Sequence, residues 1–448
     1  MQDLIENAVN EFKNINKVIR VISHIDCDGI AAASILTKAL IRENKKFVLS
    51  FVKQLNEDIL KELSLENYEV FFFTDIGSGY LILINKYLKN KKIFILDHHI
   101  PENYNNYDNI IHINPHLVNK EFMISGAGVT YLFTRTLNQD NKDMAHIALI
   151  GMIGDLHDVK ENEILQDAII QDKIETRYGL KMFGAQTKPL HKVLQYSTDP
   201  YIPEVTGSEE GAINFLNQLG ISIRDEYNYK KLADLNGDEL KKLTTGIILK
   251  RLGSEKNPED IFGEIYILKE EEDESLMKEA REFSTLLNCC GRMGKPSLGI
   301  GVCLGNELMK EKAFELAKTY KAELINSLNW FYSNKDKLTQ GKNFVIINAE
   351  HNIKDTMIGT LASIISKSNI YPENTIILAT AYTLDDNVKV SMRICNGNKD
   401  LDLRELLINI TGNLGEAGGH KYACGTLIKL DKEQEFVNNA INILSKIK

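Results

Sequence analysis

Apolar residues gather along this chain in short runs that end in charge. Lys17-Val-Ile-Arg-Val-Ile-Ser23 leads into His24-Ile-Asp26-Cys-Asp28-Gly29, and Tyr68-Glu-Val-Phe-Phe-Phe-Thr74 leads into Asp75. Lys91-Lys-Ile-Phe-Ile-Leu96 leads into Asp97-His98-His99, and Ile147-Ala-Leu-Ile-Gly-Met-Ile-Gly154 into Asp155. Short apolar runs rich in β-branched and aromatic residues predict buried strands, so the acids and histidines are expected at four strand ends. Between them, residues 30–42 and 80–89 place apolar side chains at helical spacing. Strand, loop and helix repeated over residues 1–160 predict βαβ units and a mostly parallel sheet, whose carboxyl-end loops lie together in space.

From about 161 to 300 the pattern turns mixed and polar, punctuated by Lys188-Pro189, Asp199-Pro200, Ile202-Pro203 and Asn257-Pro258. Such punctuation suits an inserted or bridging region. Residues 307–332 then repeat Phe314, Ala317, Leu324, Leu328 and Phe331 at helical spacing, with Lys and Glu between them. They predict one long connecting helix with a buried stripe. Beyond it the α/β pattern resumes, with strands expected at 344–348, 375–381 and 388–394, a helix at 357–367 and a glycine-rich stretch at 412–425. The fold class is therefore α/β, with a second, smaller α/β domain at the C-terminal end.

At 448 residues, 43% apolar and 26% charged, the chain reads as a soluble protein of two or three domains. No secretory leader is expected, and the sequence holds no apolar run near the roughly 20 residues that span a bilayer. Six cysteines without CxxC spacing fit free thiols in a reducing cytosol, so a cytoplasmic location is expected and a structural zinc site is not. Net charge is −9, which argues against a general attraction to nucleic acid without excluding a local groove. The acid is uneven: residues 161–300 carry 18 Lys/Arg against 25 Asp/Glu, whereas residues 301–448 carry 18 against 17. A phosphate-rich substrate meets less repulsion toward the C-terminal end. The run Glu270-Glu-Glu-Asp-Glu274 reads as a solvated face.

The chemistry lies in His24, Asp26, Asp28, Asp75, His98 and Asp155. Imidazole and carboxylate without thiolate suit Mn²⁺ above all, with Mg²⁺, Zn²⁺ or Co²⁺ also fitting. Carboxylates crowded into one cleft repel each other unless cations neutralise them. Six ligands exceed the needs of one ion, and two ions together activate water and stabilise both oxygens of a phosphoryl transfer. Asp75, arriving alone, is the expected bridge. His24, Asp26 and Asp155 are assigned to one ion, and Asp28 and His98 to the other. Asp97 is expected to orient its neighbours, and His99 to contact phosphate or act as general acid.

At these residues the sequence resembles the DHH phosphoesterase superfamily, whose signature triplet stands here as Asp97-His98-His99. The family's metal positions match His24, Asp26, Asp28, Asp75, His98 and Asp155, which implies two Mn²⁺ ions. Met357-Ile-Gly359-Thr-Leu-Ala-Ser363, Ser391-Met-Arg393, Gly418-Gly419-His420 and Ala423-Cys-Gly425 resemble the companion DHHA1 domain. Arg393 is then a candidate phosphate clamp, and Gly418, Gly419 and His420 a turn that lets backbone amides and an imidazole approach phosphate. Asn288-Cys-Cys-Gly291-Arg292 resembles the Asn-Ala-Ala-Gly-Arg segment of RecJ-type exonucleases, making Arg292 a candidate backbone clamp. Residues 178–203 look like the archaeal RecJ-like subgroup, which includes the GINS-associated nuclease. Bacterial RecJ carries a further oligonucleotide-binding fold, which is not expected among these 448 residues.

The resemblance implies a DHH catalytic domain at 1–165, a bridging region at 166–300, a connecting helix at 301–338 and a DHHA1 substrate-binding domain at 339–448. It implies a metal-dependent exonuclease on single-stranded nucleic acid, DNA before RNA and 5′-to-3′ before 3′-to-5′, in replication or repair. The second domain is expected to hold the strand end across a cleft. A replisome partner such as GINS is compatible with that role, and a membrane is not. The competing readings are an oligoribonuclease or small-nucleotide phosphoesterase, and a replisome scaffold like the related eukaryotic helicase cofactor. Phe71-Phe-Phe73 and Trp330-Phe-Tyr332 read as buried strand and helix end rather than as base-stacking platforms.

Overall fold

A computed structural model describes the chain except residues 103–106, 119–123, 198–199, 253–256, 369, 396–400 and 448 and the side chains of Glu416 and His420. The first elements are α1 (Gln2–Lys13), β1 (Ile19–His24), α2 (Cys27–Arg42), β2 (Phe47–Val52), α3 (Glu57–Leu65), β3 (Val70–Thr74), α4 (Leu81–Leu88), β4 (Lys92–Leu96) and β5 (Ile110–Ile113). The five strands form one sheet in the order β2-β1-β3-β4-β5, every pairing parallel. Helices α5 (Gly126–Leu137), α6 (Ala145–Gly154) and α7 (Glu163–Ile170) follow.

Both faces of this sheet are covered, which is why its strands are apolar almost throughout. Side chains alternate along a strand, and the three phenylalanines of β3 divide accordingly. Phe71 and Phe73 pack with Leu60, Leu63, Leu81, Ile84 and Leu88 of α3 and α4. Phe72 faces the other way, stacked 4.4 Å from Phe94 and edge-on at 5.7 Å to Phe12 of α1. Because β2 lies on one side of β1 and β3 on the other, the winding reverses between β1 and β3. In open α/β sheets that reversal opens a crevice at the strands' carboxyl ends. His24 ends β1 and Asp75 follows β3, so both stand at the reversal.

The run 147–154 departs from expectation: it belongs to helix α6, so Asp155 caps a helix and does not end a strand. Its residues are apolar on every side, and nearly all are buried. A short run without periodicity suits a strand or a buried helix equally. Glycine settles the packing here. A Cβ on Gly151 would lie 2.6 Å from Ala127 Cβ of α5 and 2.7 Å from Asp28 Oδ1 of α2.

Residues 174–268 form a separate layer. Strands β6 (Ile174–Leu180) and β9 (Phe262–Leu268) pair antiparallel. Between them run α8 (Leu190–Tyr196), α9 (Glu209–Gln218), the hairpin β7 (Arg224–Asp225) and β8 (Asn228–Tyr229), and α10 (Gly237–Arg251). Leu190, Leu194, Phe215, Leu216, Leu243 and Ile247 give this layer its own core. Within the acidic run 270–274, Glu270 meets Lys173 at 2.7 Å, Glu271 meets Lys310 at 2.7 Å and Glu274 meets Lys231 at 2.6 Å. Then α11 (Ala280–Arg292) and α12 (Pro296–Cys303) return to the first core, the former through Phe283, Leu287 and Cys290 and the latter through Val302 and Cys303. All six cysteines are free and buried.

Helix α13 (Glu307–Asn334) carries the chain out of a compact unit spanning Met1–Ala317 and into a second, Lys318–Lys448. The second unit contains β10 (Thr339–Gln340), β11 (Phe344–Asn348), α14 (Asp355–Lys367), β12 (Ile376–Tyr382), β13 (Asn387–Ile394), α15 (Leu403–Thr411), β14 (Gly415–His420), β15 (Ala423–Lys429) and α16 (Glu433–Leu444). Its mixed sheet runs β10-β11-β12-β13-β15-β14, with only β11 and β12 parallel. Gly418, Gly419 and His420 do not make the expected turn. They pair with Gly425, Cys424 and Ala423 in a ladder, and the reversal falls at Lys421-Tyr422. Among the described residues, no helix is long and apolar enough to cross a membrane.

Candidate metal centre

The loop after β1 makes the first wall of the site. Asp26 caps α2, its carboxylate accepting from Gly29 N at 3.0 Å. Gly29 is obligatory, because a Cβ there would stand 2.2 Å from His24 O. Asp28 lies in the first turn of α2 and is 2% exposed. The N-terminus of α5 holds it: Gly126 N and Ala127 N donate to Asp28 at 2.7 and 3.2 Å, and Ser125 Oγ at 2.5 Å. Backbone N–H groups at a helix N-terminus favour an anion, so Asp28 is both oriented and stabilised.

Asp75 leaves β3 in the left-handed conformation, with φ +57°. Its N–H still donates to Leu96 O at 2.9 Å, so the turn is made without losing the ladder to β4. Gly126 lets the helix end approach: a Cβ there would lie 2.6 Å from Asp75 Cβ. Asp75 is 2% exposed, and neither of its carboxylate oxygens has a hydrogen-bond partner. Buried acceptors left unpaired are costly, and here the two point to different neighbours.

One oxygen, Oδ2, lies 3.4 Å from His24 Nδ1, which is itself 3.0 Å from Asp26 Oδ2. The other, Oδ1, lies 3.4 Å from His98 Nε2, which is also 3.4 Å from Asp155 Oδ2 and 3.9 Å from Asp28 Oδ2. Asp155 thus joins Asp28 and His98 rather than the His24 group expected for it. The helical course of α6, which brings Asp155 in beside α2, accounts for the change. Adjacent ligands of an octahedral ion held at about 2.1 Å stand roughly 3 Å apart, close to most of these separations.

The charge balance points the same way. Asp75 is pushed well above the ordinary carboxyl range, first by burial and then by the charges of Asp28 and Asp26. Asp28 is raised by burial, with His98 opposing. Burial pulls the His24 imidazole down, but Asp26 and Asp75 overcome it and raise it well above its usual value. The group is short of positive charge, which bound cations would supply.

Asp97 is fully buried and its oxygens are committed elsewhere. Oδ1 accepts from His98 N at 2.8 Å and His99 N at 3.3 Å, and Oδ2 from Ser78 N at 2.8 Å. His99 Nδ1 also meets Oδ1 at 2.7 Å. Despite burial, the neighbouring His99 holds Asp97 well below the ordinary range; Asp97 in turn raises His99, against burial, to about 9. His99 is 41% exposed at its side chain, a cationic imidazole facing outward. Asn114 supports the segment by donating to His99 O at 2.8 Å and to Ser78 Oγ at 2.9 Å.

One contributor, His157, escaped sequence reasoning, and the Asn288 segment does more than present Arg292. His157 Nε2 lies 3.2 Å from Asp155 Oδ2, and its only signal in the sequence was closeness to that acid. Asn288 Oδ1 accepts from Cys27 N at 3.1 Å, tying α11 to the first loop. Gly291 presses against the same loop, since a Cβ there would lie 1.7 Å from Ile25 O. Arg292 follows directly at the end of α11.

The remaining candidates lie in the second unit. Arg393 donates from Nε to Ser363 Oγ at 2.9 Å and from Nη1 to Met392 O and Cys424 O at 2.8 and 3.3 Å, so part of its guanidinium serves the fold. Gly419 has φ +121°, and a Cβ there would meet Ala423 O at 2.6 Å; Gly418 faces open space. His420 lies in β14 by its backbone, and its side chain is outside the described residues.

Residues 18–152 match the DHH family N-terminal domain, residues 182–262 the DHH-CID domain and residues 341–446 the DHHA1 domain. An uncharacterized protein of Methanocaldococcus jannaschii is 32% identical over 447 residues, covering 96% of this chain and 93% of its own length. The chain belongs to the DHH/DHHA1 phosphoesterase superfamily. Its fold is similar to that of CDC45 from Entamoeba histolytica, at TM-score 0.67 and 13% identity over 99% of both chains. It is similar also to RecJ from Thermus thermophilus in complex with Mn²⁺, at TM-score 0.62 and 13% identity over all of this chain and 55% of that one. The chain therefore spans about half the length of that RecJ. An exonuclease RecJ bound to manganese matches at TM-score 0.60 and 13% identity over all of this chain and 95% of its own.

Proposed function

We propose that the protein is a two-metal phosphodiesterase, a RecJ-like exonuclease that shortens single-stranded nucleic acid, DNA in the first instance, in replication or repair. The observation that carries this reading is Asp75, whose two unpaired buried oxygens face separate groups of nitrogen and oxygen ligands. His24, Asp26 and Asp75 would hold one ion, and Asp28, Asp75, His98 and Asp155 the other. Two such ions, with Mn²⁺ favoured by the donor set, supply Lewis acidity and an activated water for attack on phosphorus.

The protein's own groups do the rest. Asp97 keeps His99 protonated and turned toward solvent, where it can hold a phosphate oxygen or give a proton to the leaving oxygen. Ser125 and the α5 N-terminus fix Asp28 before any ion arrives. Arg292, anchored through Gly291 and Asn288 to the loop bearing Asp26 and Asp28, is a contact for the nucleic-acid backbone. Arg393, Gly418, Gly419 and His420 are assigned to phosphate binding in the second unit. A strand polarity of 5′-to-3′ and a replisome partner such as GINS belong to the same reading.

The test is the full chain with Mn²⁺ and single-stranded DNA or RNA labelled at either end, beside Asp75→Ala. Mononucleotides are expected from one end of DNA in a ladder of decreasing length, and Asp75→Ala should lose at least about a thousandfold in rate. Equal turnover by the two proteins would overturn the metal assignment. Preference for RNA of a few nucleotides over long DNA would move the substrate to short oligoribonucleotides.

A further inference from the structure

Helix α6 ends in a way that delivers one more side chain to the site. Leu156 N donates to Ile153 O at 3.1 Å and His157 N to Met152 O at 2.9 Å, while Leu156 has φ +61°. This is the Schellman arrangement, in which a left-handed residue, commonly glycine, folds the following residue back over the helix end. Here the left-handed position holds a leucine that is 91% exposed. A branched side chain in that conformation is unfavourable, and so exposed a leucine gains little from burial to offset it. What the turn achieves is the placement of His157.

The His157 side chain is only 8% exposed, and its Nε2 stands 3.2 Å from Asp155 Oδ2. That is the same oxygen that faces His98 Nε2 at 3.4 Å. The two imidazoles meet edge to face, with ring centroids 5.3 Å apart. A carboxylate can only accept, so in this contact His157 Nε2 is the donor. An oxygen has two lone pairs, and a hydrogen bond to one leaves the other for an ion.

We propose that His157 is a positioning residue of the metal centre: it holds Asp155 by donating to Oδ2 and so tunes the ion shared by Asp28, His98 and Asp155. The proposal rests on the two-ion reading above. Outer groups of this kind orient a ligand and adjust its donor strength, and removing one typically weakens metal binding by about 10–100-fold. The effect is confined to one of the two ions, because the contacts of His157 reach Asp155 and His98 and none reaches His24 or Asp26 among those described.

The test is titration of the full chain with Mn²⁺, following the free-ion electron paramagnetic resonance signal, with circular dichroism and a melting curve to establish that each variant is folded. Wild type is expected to take up two ions per chain. His157→Ala should weaken one class of site by about 10–100-fold and leave the other unchanged, while His157→Gln, which keeps an N–H donor, should return to within about threefold of wild type. A His157→Ala chain that titrates like wild type overturns the proposal, and so does a His157→Gln chain as weak as His157→Ala. In either case a wild type binding two ions, with Asp75→Ala losing them, leaves the two-ion reading standing. A wild type that takes up no Mn²⁺ removes that reading and this inference with it.

Discussion

Asp75 shows how much of this site depends on one residue's backbone. It must leave β3 with φ +57° for its two oxygens to face His24 and His98, and the end of α5 has to come within van der Waals reach to enclose it. Only glycine at 126 permits that approach, since a Cβ would fall 2.6–2.7 Å from Asp75 Cα, Cβ and Oδ1. Gly126→Ala should therefore move Asp75 while leaving the hydrophobic core intact. A displacement of about 1 Å in a catalytic group costs roughly a hundredfold in rate, so turnover is expected to fall by about that factor with an unchanged far-ultraviolet spectrum. Wild-type turnover in the variant would show that Asp75 is not held by this contact. At this scale the sequence was informative wherever an acid or histidine followed a strand of clear character, as with His24, Asp75 and His98. His157 was not legible, because its position depends on a left-handed turn at Leu156 that no residue preference announces.

At the scale of elements, the strands of the first sheet could be read because both of its faces are buried and its runs are short. Helix α6 could not, since residues apolar on all sides satisfy either structure, and its end sets Asp155 beside His98. The Gly-Gly-His segment failed for a related reason: glycine suggests a turn, yet Gly419 is required by a close approach inside a strand pair. Helix α11 looked like part of a polar bridge and instead packs beneath the first loop. It also buries Glu282, whose carboxylate accepts from Thr187 Oγ1. Burial, against the Thr187 bond and with the nearby charge of Glu279 adding to it, pushes Glu282 up to about 7. Its ordinary value is near 4.5, so between those limits the unfolded chain has released a proton that the folded chain keeps. Stability should then fall as pH rises from about 4.5 to about 7 and be level above, a loss of roughly 3 kcal/mol relative to a neutral side chain. Denaturant unfolding of wild type and Glu282→Gln across pH 5 to 8 should give curves that separate through this window in favour of Gln. Parallel curves would mean that Glu282 is ionised at no cost in the folded state.

For the whole molecule, the division at residue 317 sets what an ion can stabilise. The residues that would hold both ions, together with the cores of the parallel sheet and of the 174–268 layer, belong to Met1–Ala317. Lys318–Lys448 has its own core, built on Ile376, Leu378, Val390, Leu407 and Phe436. Units with separate cores are expected to unfold as separate cooperative transitions. An ion that binds only the folded first unit stabilises that unit by mass action, by about 2.7 kcal/mol at a concentration one hundred times its dissociation constant. Calorimetry of the full chain should therefore show two transitions, of which Mn²⁺ raises one and chelation lowers the same one. Phe436→Ala identifies the other: truncating a fully buried phenylalanine costs about 3–5 kcal/mol, and the Mn²⁺-insensitive transition should fall accordingly. If Mn²⁺ moves both transitions together, or if Phe436→Ala lowers the transition that Mn²⁺ raises, the two units share their stability and the ion acts on the whole chain.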